Sequence, residues 1–425
     1  MLGVVRIASV IANSKSLSLW RHRDFLVLWA GQSVALVGSH VTTLALPLMA
    51  ITLLGASPFQ VGLLTTCATL PWLLLSLPVG LVVDRTRKRT LLLWCESVRV
   101  PVLASIPVAA ALDVLTLGQL YAVTFISGTC SVAFNAAYLS LPSIMLGDSK
   151  LVDANSKFSV SSSIANVAGP AVGGFLVGVL GAARAVAVDA ATCVVSVVTL
   201  FLVRHREPKP RRPPATGGLL RELTAGLRLL VENRSLVFIT FTNSFGGFVV
   251  AGIATVWIPF AVLDLGWSAQ EVGLVAGVGA VGGLVGSLLA KPLIDRFGLV
   301  PVLLGSPIAF APGHLVAGTA PSGAVGMVVA AAGFATAFAG LLVYNIAQRS
   351  YRLLSCPRDR IGRVNAAVNW VQWGLRPLAG LTAGALGTWV GLRPAVLAFA
   401  CLLPLCAIAL WFSPLRAERP RRMAV

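Results

Sequence analysis

The stretch from Phe59 to Thr90, FQVGLLTTCATLPWLLLSLPVGLVVDRTRKRT, decides the fold. Residues 59–83 carry no charge. A helix of that length reaches about 37 Å, enough to cross the ~30 Å hydrocarbon core of a bilayer. Its end is opposite in character, with Asp84, Arg85, Arg87, Lys88 and Arg89 crowded into six residues. An apolar run stopped by a basic cluster reads as a transmembrane helix ending at the cytoplasmic face, where Lys and Arg accumulate in short loops.

Runs of this kind fill the chain outward from there. Twelve are read, at 24–53, 59–83, 91–112, 117–146, 156–181, 184–203, 235–263, 269–292, 300–319, 323–347, 361–389 and 392–413. Over all 425 residues 57% are hydrophobic and 11% charged, with a mean hydropathy of +0.87. An average soluble domain is about 25% charged, so this composition excludes a cytosolic enzyme. The first twenty residues lack the apolar core and cleavage site of a signal peptide. Six of the seven cysteines lie in apolar runs with no CxxC pair, and read as packing residues rather than disulfides or metal ligands.

The net charge of +18 would point to nucleic acid on a soluble chain. Twelve spans reverse that inference. They put 29 of the 33 Lys and Arg on the side of both termini, leaving Arg184 and Arg393 in the opposite loops and Arg99 and Arg376 within spans. Both termini are therefore expected in the cytoplasm of a bacterial cell membrane, and the basic face against anionic headgroups. No nucleic-acid partner is implied, and a monomer is expected. The expected divisions are an N-terminus (1–23), a six-helix half (24–203), a linker (204–234), a second six-helix half (235–413) and a tail (414–425). In the linker, Pro-rich sequence precedes an amphipathic surface helix from Leu219 to Glu232.

The halves repeat one another at an offset near 210. Ser57 and Val61-Gly62-Leu63 map to Ser268 and Val272-Gly273-Leu274, Asp84-Arg85 to Asp295-Arg296, Asn135 to Asn345, and Asn155 to Asn365. An even number of spans per half makes the repeat parallel. Beyond residue 166 the register slips, since Pro170 falls opposite Gly380 while the second proline is Pro377.

Gly80-Leu-Val-Val-Asp84-Arg85-Thr-Arg87-Lys88-Arg89 resembles the loop signature of the major facilitator superfamily. Lys291-Pro-Leu-Ile-Asp295-Arg296-Phe-Gly298 is a degenerate echo. Gly169-Pro170-Ala-Val-Gly173-Gly174 resembles the signature of antiporter-type exporters. Phe25-x-x-Leu28-Trp29-x-Gly31-Gln32, Ala45-Leu46-Pro47, Leu141-Pro142, Asp153-Ala154-Asn155 and the stretch from Gly362 to Leu378 resemble a drug-efflux branch that includes macrolide and siderophore (enterobactin) exporters. That branch often carries an acid just after the glycine of the first span, where this chain has Gly38-Ser39-His40. The resemblance implies an all-α membrane protein of twelve helices in two pseudo-symmetric halves. It implies a secondary transporter that exports drugs or other amphipathic small molecules by alternating access, with the proton gradient as driving force and no cofactor. It also implies a gate at Asp84, Arg85, Arg87, Lys88 and Arg89, with Asp295 and Arg296, latching the cytoplasmic ends of the halves.

The residues themselves suggest where chemistry sits. Asn365, Asn369, Gln372 and Arg376 step by 4, 3 and 4, and Asn155, Ser159, Ser162 and Asn166 repeat the steps 210 residues earlier. Each set holds one helix face, expected to line a central cavity because polar groups facing lipid are costly. Gln32, His40, Asn135, Tyr138, Asn166, Asn243, Asn345, Asn369, Trp370, Gln372, Trp373 and Arg376 are the expected lining. Arg376, deep in its span, would attract an anionic substrate group or neutralise a carboxylate. Asp189 is the leading carboxylate for proton coupling, with His40 second. Glu96 and Arg99, three apart, read as a structural pair. Gly169, Gly173 and Gly174 allow close helix packing, and Pro170 bends the helix. Neither an ATP-binding motif nor a catalytic constellation is apparent, so an enzyme is not expected. Export of an endogenous metabolite or siderophore, or a non-transporting receptor, are the alternatives.

Overall fold

The computed structural model describes residues 19, 22–146, 150–204, 207, 219–356 and 361–417; within its helices the side chains of 77, 81, 84, 143, 152, 219–225, 361–363 and 417 fall outside the description. The first half comprises α1 (Arg23–Thr52), α2 (Pro58–Arg85), α3 (Lys88–Ala111), α4 (Leu117–Leu146), α5 (Leu151–Leu180) and α6 (Ala182–Leu202). Then comes α7 (Leu219–Glu232), the helix expected in the linker. The second half holds α8 (Arg234–Pro259), which runs into a π-helical turn at Phe260–Asp264, then α9 (Ala269–Phe297), α10 (Leu299–Gly318) and α11 (Gly323–Ser355). Its last two spans are each broken in two, α12 (Ile361–Gly374) with α13 (Arg376–Trp389), and α14 (Leu392–Leu402) with α15 (Pro404–Trp411).

Eleven unbroken or nearly unbroken helices among the described residues are long and apolar enough to cross a membrane. The twelfth span is the α12–α13 pair, whose two 14-residue pieces are each too short alone. Pro377 explains the break: it offers no N–H to the carbonyl four residues back, and its ring crowds that carbonyl. Leu74, Trp94, Phe201, Leu288 and Trp389 are exposed, as lipid-facing residues must be.

The internal repeat is visible in the helix ends. Ser57 with Gln60 caps α2, and Ser268 with Glu271 caps α9, each by a reciprocal capping box. Gly181 (φ 82°) and Gly391 (φ 104°) precede α6 and α14, turning the chain where a side chain would be strained.

The register also holds where the prolines suggested a slip. A methyl group placed on Gly62 of α2 would lie 2.3 Å from the Gly380 carbonyl oxygen and 3.0 Å from Gly384 Cα of α13. A methyl group on Gly273 of α9 would lie 2.5 Å from the Pro170 oxygen and 2.8 Å from Gly174 Cα of α5. These are the same contact repeated: Gly62 answers Gly273, Gly380 answers Pro170, and Gly384 answers Gly174. The proline has moved, but the backbone approach it sits in has not. These two seams, α2 on α13 and α5 on α9, join the halves at the end away from the termini. Hydrogen bonds reinforce the first, from Phe59 N–H to Thr388 Oγ1 (3.0 Å) and from Thr66 Oγ1 to the Pro377 carbonyl (3.0 Å).

Candidate functional site: a central cavity with an acid–arginine wall

Between the halves lies a cavity of about 610 Å³, lined by α1, α2, α3, α4, α6, α8, α10, α11, α12 and α13. Most of its surface is apolar, with Leu46, Leu64, Val250, Ile258 and Phe310 among the lining. A hydroxyl-rich strip of Ser39, Thr42, Thr43, Thr65, Thr69, Ser127 and Ser131 crosses the first-half wall.

Among the described residues three charged side chains reach this cavity: Arg99, Asp189 and Arg376. Two share the first-half wall. Asp189 is 1% exposed, and its Oδ2 accepts a hydrogen bond from Thr42 Oγ1 at 2.6 Å. The same oxygen lies 3.9 Å from the Arg99 guanidinium, which also meets Glu96 Oε1 at 3.1 Å. The sequence pairs Glu96 with Arg99 by spacing alone; the fold adds Asp189 from α6 and makes a cluster of two acids on one arginine. Buried charges require such pairing, because desolvation otherwise outweighs their attraction. Gly38 permits the arrangement, since a methyl group there would lie 2.0 Å from Thr192 Oγ1 and 2.9 Å from Asp189 Oδ1.

The second-half wall differs. The Arg376 guanidinium lies over the Trp373 ring, 3.8 Å from its centroid, and Trp373 stacks on Trp72 of α2 (4.4 Å, 16°). Among the described residues no carboxylate lies within ion-pair distance of Arg376, and its buried Nε has no hydrogen-bond partner. Of its two expected roles, neutralising a protein carboxylate is therefore not what it does in this conformation.

Of the twelve expected lining residues, Asn243, Asn345, Gln372 and Arg376 line the cavity. The others do not. Gln32 is buried and donates to Ser196 Oγ (2.8 Å) inside the first half. His40 faces Asn166 and fills the space beside Gly169, where an added methyl would come within 2.6 Å of its ring. Tyr138 packs between Phe134 and Phe158. Asn135, Asn166 and Asn369 are exposed outside this lining, Trp370 is half-buried behind it, and Trp373 touches it through Trp72 and Arg376. The reason is angular: a helix turns about 100° per residue, so a polar residue one position off the stripe bonds a neighbouring helix instead. The strip of serines and threonines was missed because such hydroxyls commonly bond their own helix backbone, as Thr43, Thr69 and Ser131 also do here.

Toward the termini the expected gate is in a different arrangement. The Asp84 side chain lies outside the described residues. Glu207, after α6, accepts from the N–H groups of Lys88 (2.6 Å) and Arg89 (2.5 Å), occupying the start of α3. The Arg89 guanidinium donates to the carbonyls of Leu200 (2.8 Å) and Phe201 (2.9 Å), closing the end of α6. Arg85 and Arg87 are exposed. Asp295 pairs with Lys291 on its own helix at 2.8 Å, and Arg296 lies on Phe297. Among the described residues no ion pair or hydrogen bond carries these groups across to the other half. In the antiporter-type motif, Gly169 and Gly173 face α1, while Pro170 and Gly174 form the seam with α9.

Comparison with known proteins agrees with this architecture. Multidrug efflux pump Tap of Mycobacterium tuberculosis (strain H37Rv) is 24% identical over 392 residues, covering 88% of this chain and 90% of that protein. Macrolide efflux protein A of Streptococcus pyogenes is 21% identical over 274 residues, 62% of this chain and 65% of that one. The crystal structure of nucleoside transporter NupG superposes with a TM-score of 0.74 at 14% identity, over 93% of this chain and 100% of that one. A family model, described as Major Facilitator Superfamily, matches residues 28–375 and 260–424. With twelve spans in two repeated halves around a shared cavity, the chain belongs to the Major Facilitator Superfamily and is a multi-pass membrane transporter.

Proposed function

We propose that this transporter is a proton-coupled exporter of drugs or other amphipathic small molecules, working by alternating access in a bacterial cell membrane with both termini in the cytoplasm. The observation that carries the reading is the cavity itself: largely apolar, walled by both halves, and touching a buried acid–arginine cluster. An apolar chamber of this size suits a bulky ligand whose few polar groups find fixed partners. The positive-inside charge distribution makes the terminus-bearing end cytoplasmic. The glycine seams then close the outer end, and substrate enters from the cytoplasm or the inner leaflet.

Asp189 is the proton carrier in this scheme. While ionised, it holds α6 to α1 through Thr42 and to α3 through Arg99. Taking a proton removes its attraction for Arg99 and leaves that arginine to Glu96. The connection between α3 and α6 weakens, and the first half is free to rock. Asp189 also stands beside Gly38, next to the place where the resembling branch carries its acid in the first span. The carboxylate is supplied from α6 instead.

The test is dye export from everted membrane vesicles under an imposed proton gradient. Asp189→Asn is expected to abolish gradient-driven accumulation while leaving dye binding within about threefold of wild type. Accumulation that persists in this variant, or in wild type after the gradient is dissipated, would sink the coupling scheme. Export of a specific endogenous metabolite or siderophore is the second reading, and what favours it is Arg376, which has no ion-pair partner among the described residues.

A further inference from the structure

The two walls of the cavity are not balanced alike. On the first-half wall, Arg99 is shared by Glu96 and Asp189, so every charge there has an opposite neighbour. On the second-half wall, Arg376 has none among the described residues. Its place is not an accident of the surface. It is the first residue of α13, just after the break between α12 and α13, with its side chain at the cavity. A cation so far inside a span is costly to keep, and an anion arriving beside it lowers that cost further than the Trp373 ring alone does.

The surroundings suit an anion joined to a flat ring. Trp373 holds one face of the guanidinium, which leaves the fork of N–H groups to meet a carboxylate or phosphate side-on. Trp72 lies at the cavity wall and offers a ring plane for a second stacked group. Gln372, Asn243 and Asn345, all from the second half, supply neutral donors and acceptors in the same lining without adding negative charge. Among the described residues the only acid lining the cavity is Asp189, which belongs to the opposite wall and is already bonded to Thr42.

We propose that Arg376 is the docking point for an anionic group, and that the transported molecules are amphipathic acids or zwitterions carrying a carboxylate beside a planar ring system. This rests on the export reading and narrows its substrate class. A cationic amphipath would meet an unopposed positive charge on the second half. An acid would bridge the halves, with its anion on Arg376 and its ring against the first half at Trp72.

The test uses a matched pair of probes, rhodamine B with a free benzoate and rhodamine B ethyl ester, which keeps the rings and masks the acid. Purified full-length protein in phosphatidylcholine nanodiscs is titrated with each dye and anisotropy is followed. Wild type should bind the acid roughly tenfold more tightly than the ester, the worth of one charge-assisted hydrogen-bonded pair. Arg376→Gln should erase that preference, and Arg376→Lys should keep part of it, since the charge remains while the fork is lost. Equal affinity for the two dyes in wild type, or a preference for the acid that survives Arg376→Gln, overturns the proposal. Proton-driven transport of the ester with no preference for the acid would remove this inference and leave the export reading standing. Preferential binding of the acid with no proton-driven transport would do the reverse.

Discussion

At the scale of single residues, the informative side chains are the few charged ones that the membrane should exclude. Arg99 illustrates the asymmetry between a buried pair and a broken one. Its cluster with Glu96 and Asp189 contributes little net stability when intact, but removing the arginine strands two carboxylates in a low-dielectric wall. Arg99→Gln should therefore cost about 3–5 kcal/mol. Asp189→Asn, which leaves the Arg99–Glu96 pair in place, should cost less. Thermal unfolding of the two variants in the same detergent checks the order, and a more stable Arg99→Gln protein would show that the cluster is not built as described. The spacing of Glu96 and Arg99 was legible in the sequence because they are one turn apart on one helix. Asp189 was legible as an unusual acid but not as their partner. Ninety residues of chain separate it from Arg99, and only the packing of α3 against α6 brings it there.

At the scale of elements, the seams between halves are glycine-built and matched in pairs. Gly62 and Gly273 each let a backbone carbonyl approach where a methyl group would collide at 2.3 and 2.5 Å. Gly62→Val and Gly273→Val should each pry the outer end apart and shift the protein toward its outward-open form. Spin labels placed across α2 and α13, and across α5 and α9, should report a longer mean distance at that end by several ångströms. Gly305→Ala of α10 is the control, because nothing lies within 4 Å of its added methyl. Unchanged distances in both valine variants would mean the seams are not what holds this state. The span broken at Pro377 belongs to this scale as well. Hydropathy alone reads 361–389 as one helix, and the proline marks the break, but which side chain the break presents to the cavity depends on the neighbours that α12 and α13 meet.

At the scale of the whole molecule, the charge pattern and the cavity make a statement about sidedness. Single cysteines at Arg87 and Arg416 should react with a membrane-impermeant maleimide only in everted vesicles, and a cysteine at Arg184 only in intact cells. The opposite pattern would invert the assignment of the sealed end to the outside. The twelve spans, the two halves and the linker helix were readable in the sequence, and the sidedness these labels test is the one its charges predict. Each follows from local chemistry: apolar length sets a span, clustered arginines set its side, and a repeated capping box sets the start of equivalent helices. The cavity lining was readable only in part. Asn243, Asn345, Gln372 and Arg376 were found because each stands out as polar within an apolar run. The threonines and serines of the first-half wall were not, because a hydroxyl satisfied by its own helix looks the same in sequence whether it faces lipid, a neighbour or the cavity.

The sequence by itself determined that this chain crosses the membrane twelve times and that its halves are copies, and its charges predict which way it lies. Those properties depend on residues near one another in the chain. Only the tertiary structure decided that Asp189 joins Arg99 and Glu96 and, among the described residues, that Arg376 joins no acid in this conformation and that glycine seams rather than ion pairs join the halves. Each of those depends on which faces of distant helices meet, and the hydrophobic effect that drives a helix into the membrane does not distinguish one face from another once it is there.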